Sequence, residues 1–125
     1  MERKFKIALL LALFWTILVT ILSLMPLGDI GKNTNIDNSD KYVHFTFYFI
    51  FVLVWFSFFT NHYKSSFLKY YILLGAIGFG ILMEICQGAF TTTRCPDVND
   101  VYANSLGALF GIVIITLYKK NEPTV

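Results

Sequence analysis

Four long runs of apolar residues dominate the chain, and most polar residues lie in the segments between them. The runs cover residues 7–25, 42–60, 70–90 and 101–118. Each run is close to the ~20 residues that an α-helix needs to cross a hydrocarbon layer of ~30 Å. Because lipid offers the backbone no hydrogen-bond partners, such runs are expected to be helical. The pattern therefore predicts an all-α membrane protein, a bundle of four transmembrane helices.

Length and charge content agree with this prediction. The chain has 125 residues, enough for a single domain over residues 1–125, and only 14% of them are charged. That is too little charge for a water-soluble surface. The first run could instead be a cleaved signal peptide, since Arg3, Lys4 and Lys6 precede it. It is longer than the usual 7–15 apolar residues and no clear cleavage site follows it, so we expect it to be retained.

The basic residues predict the orientation of the bundle. With four spans, both termini and the loop at 61–69 lie on one side of the membrane. That side holds most of the basic residues: Arg3, Lys4, Lys6, Lys64, Lys69, Lys119 and Lys120. The other side holds Lys32, Lys41 and Arg94. Because cytoplasmic loops are enriched in Lys and Arg, both termini are predicted to be cytoplasmic.

Small residues give an expectation for helix packing. The third span contains Gly75, Gly78 and Gly80, and the fourth contains Gly107 and Gly111, four residues apart. Such spacing lets helix backbones approach closely. We therefore expect the third and fourth spans to form the tightly packed centre. The second span is rich in Phe, Tyr and Trp, which favours a lipid-facing or loosely packed helix.

Polar residues within the apolar runs are predicted to meet near one membrane face. In an up-and-down bundle, the start of the second span, the end of the third and the start of the fourth lie at one level. These segments carry Asp40, His44, Glu84, Gln87, Asp100 and Asn104. Their spacings of three or four residues place each pair on one helix face. A charge inside the bilayer costs at least ~2.5–3.5 kcal/mol, so this convergence suggests a functional site. The alternative is that these residues only hydrogen-bond between helices.

Each residue of this set has a candidate role. Glu84 is the candidate general acid or base, with His44 and Asp100 as its catalytic partners. Arg94, in the loop beyond the third span, is the candidate group for binding a phosphate or carboxylate. The remaining candidate ligand-binding residues are Gln87, Asn104 and Asp40.

Other chemistries have little support in the sequence. No serine-nucleophile motif, glycine-rich phosphate loop or paired-cysteine metal site is present, and nothing suggests nucleic-acid binding. His44 and His62 lie near opposite faces and cannot share one ion, so no metal and no cofactor are predicted. Cys86 and Cys95 could form a disulfide, but two separate thiols are the favoured interpretation.

The polar residues also form an ordered pattern. It reads Asp40-Lys41-x-x-His44-x-x-x-Tyr48, then Glu84-x-x-Gln87, then Arg94, then Asp100-x-x-x-Asn104-x-x-Gly107-x-x-x-Gly111. This pattern resembles that of the VanZ-like membrane proteins, from Ser23 and Pro26 to the end of the fourth span. The resemblance implies a multi-pass protein of the bacterial cytoplasmic membrane. The family's namesake is associated with resistance to teicoplanin, a lipid-bearing glycopeptide that acts on cell-wall precursors.

The family's polar positions fall on the residues already selected by depth and on the candidate anion-binding residue: Asp40, His44, Glu84, Gln87, Arg94, Asp100 and Asn104.

Three functions remain open at this stage. The protein could act at the outer leaflet on a lipid or lipid-linked envelope molecule, with or without catalysis. It could bind an amphiphile without any reaction. It could also be a structural or accessory subunit of an envelope complex, in which the polar residues serve packing. The sequence leaves the oligomeric state undetermined.

Overall fold

A computed structural model describes residues 2–25, 39–91 and 96–121. These contain four helices: α1 (Glu2–Leu24), α2 (Ser39–Phe59), α3 (Leu68–Phe90) and α4 (Val98–Asn121). Each helix is long and apolar enough to span a membrane, and the described residues contain no strand. The predicted all-α class and the four spans are confirmed. Each helix begins two to five residues before its apolar run, and α4 also ends three residues after its run.

The helices run alternately up and down. Phe5 of α1 packs on Phe58 of α2 with ring centroids 4.8 Å apart, and Trp15 Nε1 donates to the Phe47 carbonyl oxygen at 2.9 Å. Later residues of α1 therefore contact earlier residues of α2, so the two helices are antiparallel. The start of α1 and the end of α4 lie at the same end of the bundle. We call the opposite end, where α1 and α3 end and α2 and α4 begin, the polar end.

The outward surface of the bundle is apolar. Leu10, Phe14, Leu74 and Leu106 are each more than half exposed. A large continuous apolar surface is rare on soluble monomers but is expected for helices that face lipid. The chain is therefore an integral, multi-pass membrane protein. Its predicted orientation, with cytoplasmic termini, stays a prediction.

The closest helix contact joins α2 and α4, which are parallel neighbours. Gly107 lies against the backbone of Phe45, where a Cβ atom would collide with the carbonyl oxygen. One turn further along, a Cβ at Gly111 would lie 3.2 Å from the Phe49 carbonyl oxygen. We call this contact the α2–α4 interface.

The expectation that the third and fourth spans form the tightly packed centre was wrong. A Cβ at Gly75 or Gly78 would meet nothing within 4 Å. The most extensive interface is α2–α4, and α2 packs against each of the other three helices. The aromatic second span is therefore central and not peripheral. The small residues of α4 face α2, a parallel neighbour that is distant in sequence. Reasoning only from spans that are consecutive in sequence does not identify this neighbour.

An apolar groove opens between α1 and α3, with α2 as its floor. Its volume is about 650 Å³. Phe51, Trp55 and Phe59 line it from α2, Thr16 from α1, and residues including Gly75 and Phe79 from α3. The open space beside Gly75 is part of this groove.

Candidate functional site

Lys41 joins the first turns of α2 and α4 at the polar end. Its Nζ lies 2.8 Å from Asp97 Oδ2 and also contacts Asp100 Oδ1. Asp40 Oδ2 is farther away, at 3.8 Å. The Lys41 side chain is 26% exposed and that of Asp100 only 8%. Because Asp100 is largely shielded from water, the ammonium provides a close counter-charge for its carboxylate.

His44 forms the next layer below Lys41. Its Nδ1 lies 2.9 Å from Asn104 Oδ1 on α4. With the Asn104 amide in this orientation, Oδ1 only accepts, so Nδ1 carries the hydrogen. The other nitrogen, Nε2, lies 3.5 Å from Asp40 Oδ1 and 3.6 Å from Asp100 Oδ2. His44, Asp100 and Asn104 are buried, whereas the Asp40 side chain is 55% exposed.

Asp97 connects α3, α4 and Lys41. Its Oδ1 accepts from the Asn99 backbone N–H at 2.9 Å, which caps the start of α4. Its own backbone N–H donates to Glu84 Oε2 at 3.0 Å. Hydrogen bonding to the Lys41 ammonium, together with the Asn99 N–H, holds the pKa of the Asp97 carboxyl below its ordinary value. Asp97 is therefore ionised at neutral pH and holds both helices in place.

Three buried polar atoms next to this cluster have no hydrogen-bond partner among the described residues: Tyr48 Oη, Glu84 Oε1 and Asn104 Nδ2. Two of their side chains meet at Gly80, where a Cβ would lie 3.1 Å from Asn104 Nδ2 and 3.3 Å from Tyr48 Cε1. Buried polar groups in native proteins are nearly always paired with protein, water or ligand. These atoms therefore favour a hydrated or ligand-binding site over a closed structural network.

The structure brings together most of the predicted residues. Asp40, His44, Asp100 and Asn104 form one cluster across α2 and α4. Glu84 joins it through the Asp97 backbone, and not through the direct contacts with His44 or Asp100 that the sequence suggested. The catalytic and ligand-binding roles of all these residues stay predictions.

Gln87 is turned toward α1. Its Nε2 donates to the Ser23 carbonyl oxygen at 2.8 Å, so it links α3 to α1 at the polar end. Arg94, the predicted anion-binding residue, and Cys95 lie outside the described residues.

The structure places three further residues at the site: Lys41, Asp97 and Tyr48. Lys41 had no predicted role beyond its charge and its place in the family pattern, although it lies three residues before His44. Asp97 had no predicted role, although it precedes an apolar run where a capping residue is expected. Tyr48 is four residues after His44, and this spacing places both side chains on one face of α2.

Aromatic rings connect the cluster to the apolar groove. The rings of Phe51 and Phe79 stack with centroids 5.2 Å apart and an interplanar angle of 8°. Tyr48 packs against both, with centroid distances of 5.9 and 6.1 Å. Because Phe51 and Phe79 line the groove, Tyr48 lies between the apolar groove and the buried polar atoms. Tyr48 is only 1% exposed, so one buried side chain separates the groove from the polar atoms.

The charge of the described polar end is strongly negative. Asp40, Glu84, Asp97 and Asp100 provide four carboxyl groups, and Lys41 is the only ammonium among the described residues there. Such a cluster can exchange protons or attract a cation. Anion binding would depend on residues such as Arg94.

Comparison with known proteins supplies a family. A sequence model of the VanZ/LLP1 family matches residues 5–119, which include all four helices and the polar cluster. No curated protein and no solved structure shows significant similarity to the chain.

Proposed function

The chain belongs to the VanZ/LLP1 family, and we propose that it acts at the outer leaflet on a lipid or a lipid-linked molecule of the cell envelope. The observation that supports this most is the position of Tyr48 between a buried polar cluster and an apolar groove. Tyr48 contacts the aromatic floor of the groove and carries an unpartnered hydroxyl beside the cluster. An amphiphile with one polar end and one apolar chain matches both parts.

The groove accommodates the apolar part of such a ligand. Its lining is almost wholly carbon, from Phe51, Trp55, Phe59 and Phe79, and it is open on one side. In a bilayer, a chain enters such a groove from the surrounding lipid without crossing water. The affinity then comes from close packing, since lipid tails are as apolar as the groove.

The cluster receives the polar part. Glu84 Oε1 and Asn104 Nδ2 supply an unpartnered acceptor and an unpartnered donor in buried positions. Glu84 is the proposed acid–base group, with His44 and Asp100 as its partners and Arg94 as the anion-binding group. Asp40, Gln87 and Asn104 complete the proposed ligand-binding set. Lipid-bearing glycopeptides such as teicoplanin belong to the same chemical class of amphiphile.

Lipid binding provides the first test. We expect Gly75→Leu to fill the groove and reduce the lipid that co-purifies with the protein, as measured by mass spectrometry of extracts. Gly78→Leu is the matched control, because it also enters open space but does not line the groove. Equal lipid content in both variants and in the wild type would contradict a ligand-binding groove.

Drug susceptibility provides the functional test. Hosts expressing the wild type or Glu84→Gln at equal membrane levels are challenged with teicoplanin and with a glycopeptide that lacks the lipid tail. Selective protection by the wild type alone supports action at the cluster. Absence of protection from abundant wild type rejects glycopeptides as the relevant amphiphile and leaves the lipid test to decide the broader proposal.

A structural role is the second candidate, favoured by the bonds between helices. Lys41–Asp100, His44–Asn104 and Gln87–Ser23 each connect two helices. If the cluster serves only packing, Glu84→Gln should reduce the amount of folded protein. If it serves a ligand, the same variant should fold normally and lose only function.

A further inference from the structure

We propose that Asp40, His44 and Asp100 bind a divalent cation with a preference for Zn²⁺. The three residues present one donor atom each, His44 Nε2 and two carboxylate oxygens, all within 4.8 Å of one another. This site goes beyond the proposed action on a lipid and does not depend on it. No pair of histidines or cysteines in the sequence indicates this site, because it combines one histidine with two carboxylates from different helices.

His44 is oriented as a metal ligand. The hydrogen bond from Nδ1 to Asn104 Oδ1 fixes the ring and leaves the Nε2 lone pair directed at the two carboxylates. Histidine ligands in proteins almost always donate their other ring N–H in this way. His44 is more than nine-tenths buried, since only 5% of its surface remains accessible. A buried lone pair facing two carboxylates is repulsive unless a cation or a proton lies between them.

The distances favour a cation over direct hydrogen bonds. Nε2 lies 3.5 Å from Asp40 Oδ1 and 3.6 Å from Asp100 Oδ2. Both separations exceed the 2.7–3.2 Å range of N–H···O hydrogen bonds. Ligand bonds of about 2.0–2.2 Å in a tetrahedral zinc site place neighbouring donors about 3.3–3.6 Å apart. The imidazole nitrogen disfavours Mg²⁺ and Ca²⁺, which prefer oxygen ligands.

Lys41 shapes the site without occupying it. Its ammonium contacts Asp100 Oδ1, whereas the other oxygen, Oδ2, faces His44. Asp100 can therefore contact Lys41 through Oδ1 and bind a cation through Oδ2 at the same time. Because the described residues of the polar end include four carboxyl groups and one ammonium, a divalent cation also reduces the excess of acidic groups there.

The cation has access from the water at the polar end. The Asp40 side chain is 55% exposed, while those of His44 and Asp100 are 7% and 8% exposed. The site thus has one accessible ligand and two buried ones. Three protein ligands leave the fourth tetrahedral position open to water or to a ligand's polar group.

Metal binding is measured on protein purified in detergent with an affinity tag that contains no histidine, after treatment with a chelator. All samples carry Cys86→Ser and Cys95→Ser, so that thiols cannot bind the ion. Zn²⁺ binding is followed by calorimetry, and Co²⁺ replaces Zn²⁺ to report tetrahedral geometry by visible absorption. We expect one ion per chain and an intense tetrahedral cobalt spectrum.

Variants locate the bound ion. Asp40→Ala should weaken binding by ~10-fold or more, because loss of a direct ligand costs at least as much as loss of a residue that only orients one. Glu2→Gln removes an exposed carboxylate at the opposite end of the bundle, where Glu2 pairs with Lys6, and should leave binding unchanged. His44→Gln should abolish the cobalt spectrum. Absence of binding in the parent protein, or binding unaffected by Asp40→Ala and His44→Gln, would overturn the proposal.

Discussion

The α2–α4 interface and the apolar groove use glycine in opposite ways. At the interface, Gly107 and Gly111 let α4 approach the backbone of α2 closely. At the groove, Gly75 faces open space between α1 and α3. The interface also contains the ion pair of Lys41 and the His44–Asn104 hydrogen bond. The groove has aromatic walls, and among the described residues one hydrogen bond joins two of its side chains, from Trp55 Nε1 to Thr16 Oγ1 at 3.0 Å.

This difference shows that a small residue in a membrane helix does not by itself identify a packed interface. Lipid can cover apolar surface, so helices gain little from burying apolar side chains against each other. Close packing and polar bonds therefore determine which helices stay together. The α2–α4 interface has both and positions the polar cluster, whereas the groove lacks close packing and stays open to the bilayer.

The largest expected effect on stability comes from adding one methyl group at Gly107 or Gly111 in the α2–α4 interface. Gly107→Ala forces a Cβ against the Phe45 carbonyl and should cost more than the ~1–3 kcal/mol typical of overpacking, with loss of folded protein. Gly111→Ala should cost less, because its Cβ would be 3.2 Å from the Phe49 carbonyl oxygen. The midpoint of unfolding by a denaturing detergent is measured for each variant and for the wild type.

Gly75→Ala is the matched control for the groove. Its Cβ enters open space, and alanine favours helix over glycine by up to ~1 kcal/mol, so stability should be unchanged or higher. Equal destabilisation by Gly107→Ala and Gly75→Ala would remove the distinction between the two regions.

A smaller effect is expected from removing one polar bond at the α2–α4 interface or one between α3 and α1. In metal-free buffer, Asp100→Asn weakens the bond to Lys41 and should lower the free energy of unfolding by about 2 kcal/mol. Gln87→Met removes only the neutral hydrogen bond to Ser23 and should cost about 1 kcal/mol. The reverse order would show that the α1–α3 contact, and not the α2–α4 interface, holds the polar end together.

The smallest effect concerns pH. Because Lys41 lowers the pKa of Asp97 in the folded protein, this carboxylate stabilises the fold above its unfolded pKa of ~3.9. The contribution is lost as pH falls through the lower folded pKa. It should be ~1 kcal/mol or less, since the side chain is 41% exposed. Unfolding midpoints of the wild type and Asp97→Asn should differ at pH 6 and converge as pH falls through the lowered folded pKa of Asp97.

A difference between these two proteins that persists at the acid end would mean that Asp97 does not act through its charge. The side-chain amide introduced by Asp97→Asn can still cap the helix, so the comparison isolates the charge.

The four helices and the depth of the polar residues in the membrane could be predicted, because both follow from the lengths and the order of the apolar runs. Apolar runs of the required length give the spans, and alternation of direction brings Asp40, Glu84 and Asp100 to one end. The pairing of His44 with Asn104 needed the additional fact that α2 and α4 are direct neighbours. Periodicity within a span does not reveal which other span it faces.

The roles of Lys41 and Asp97 could not be predicted for a related reason. Lys41 reaches residues 56 and 59 positions away in sequence. Asp97 contributes its backbone N–H to Glu84, a contact that no side-chain pattern encodes. The aromatic bulk of α2 was misread because bulky side chains suit a lipid surface and a helix centre equally well.

The parallel pairing of α2 and α4 has a consequence for biosynthesis. Apart from Asp40, the described partners of Lys41 and His44 lie on α4 or just before it, and this segment leaves the ribosome after the first three helices. While only three helices have been made, α2 carries an ammonium and an imidazole into the membrane without these partners. We therefore expect early α2 to stay near the interface or beside the insertion machinery until α4 arrives. Chains truncated before residue 97 should be recognised by membrane quality control and degraded faster than the full chain in pulse–chase experiments.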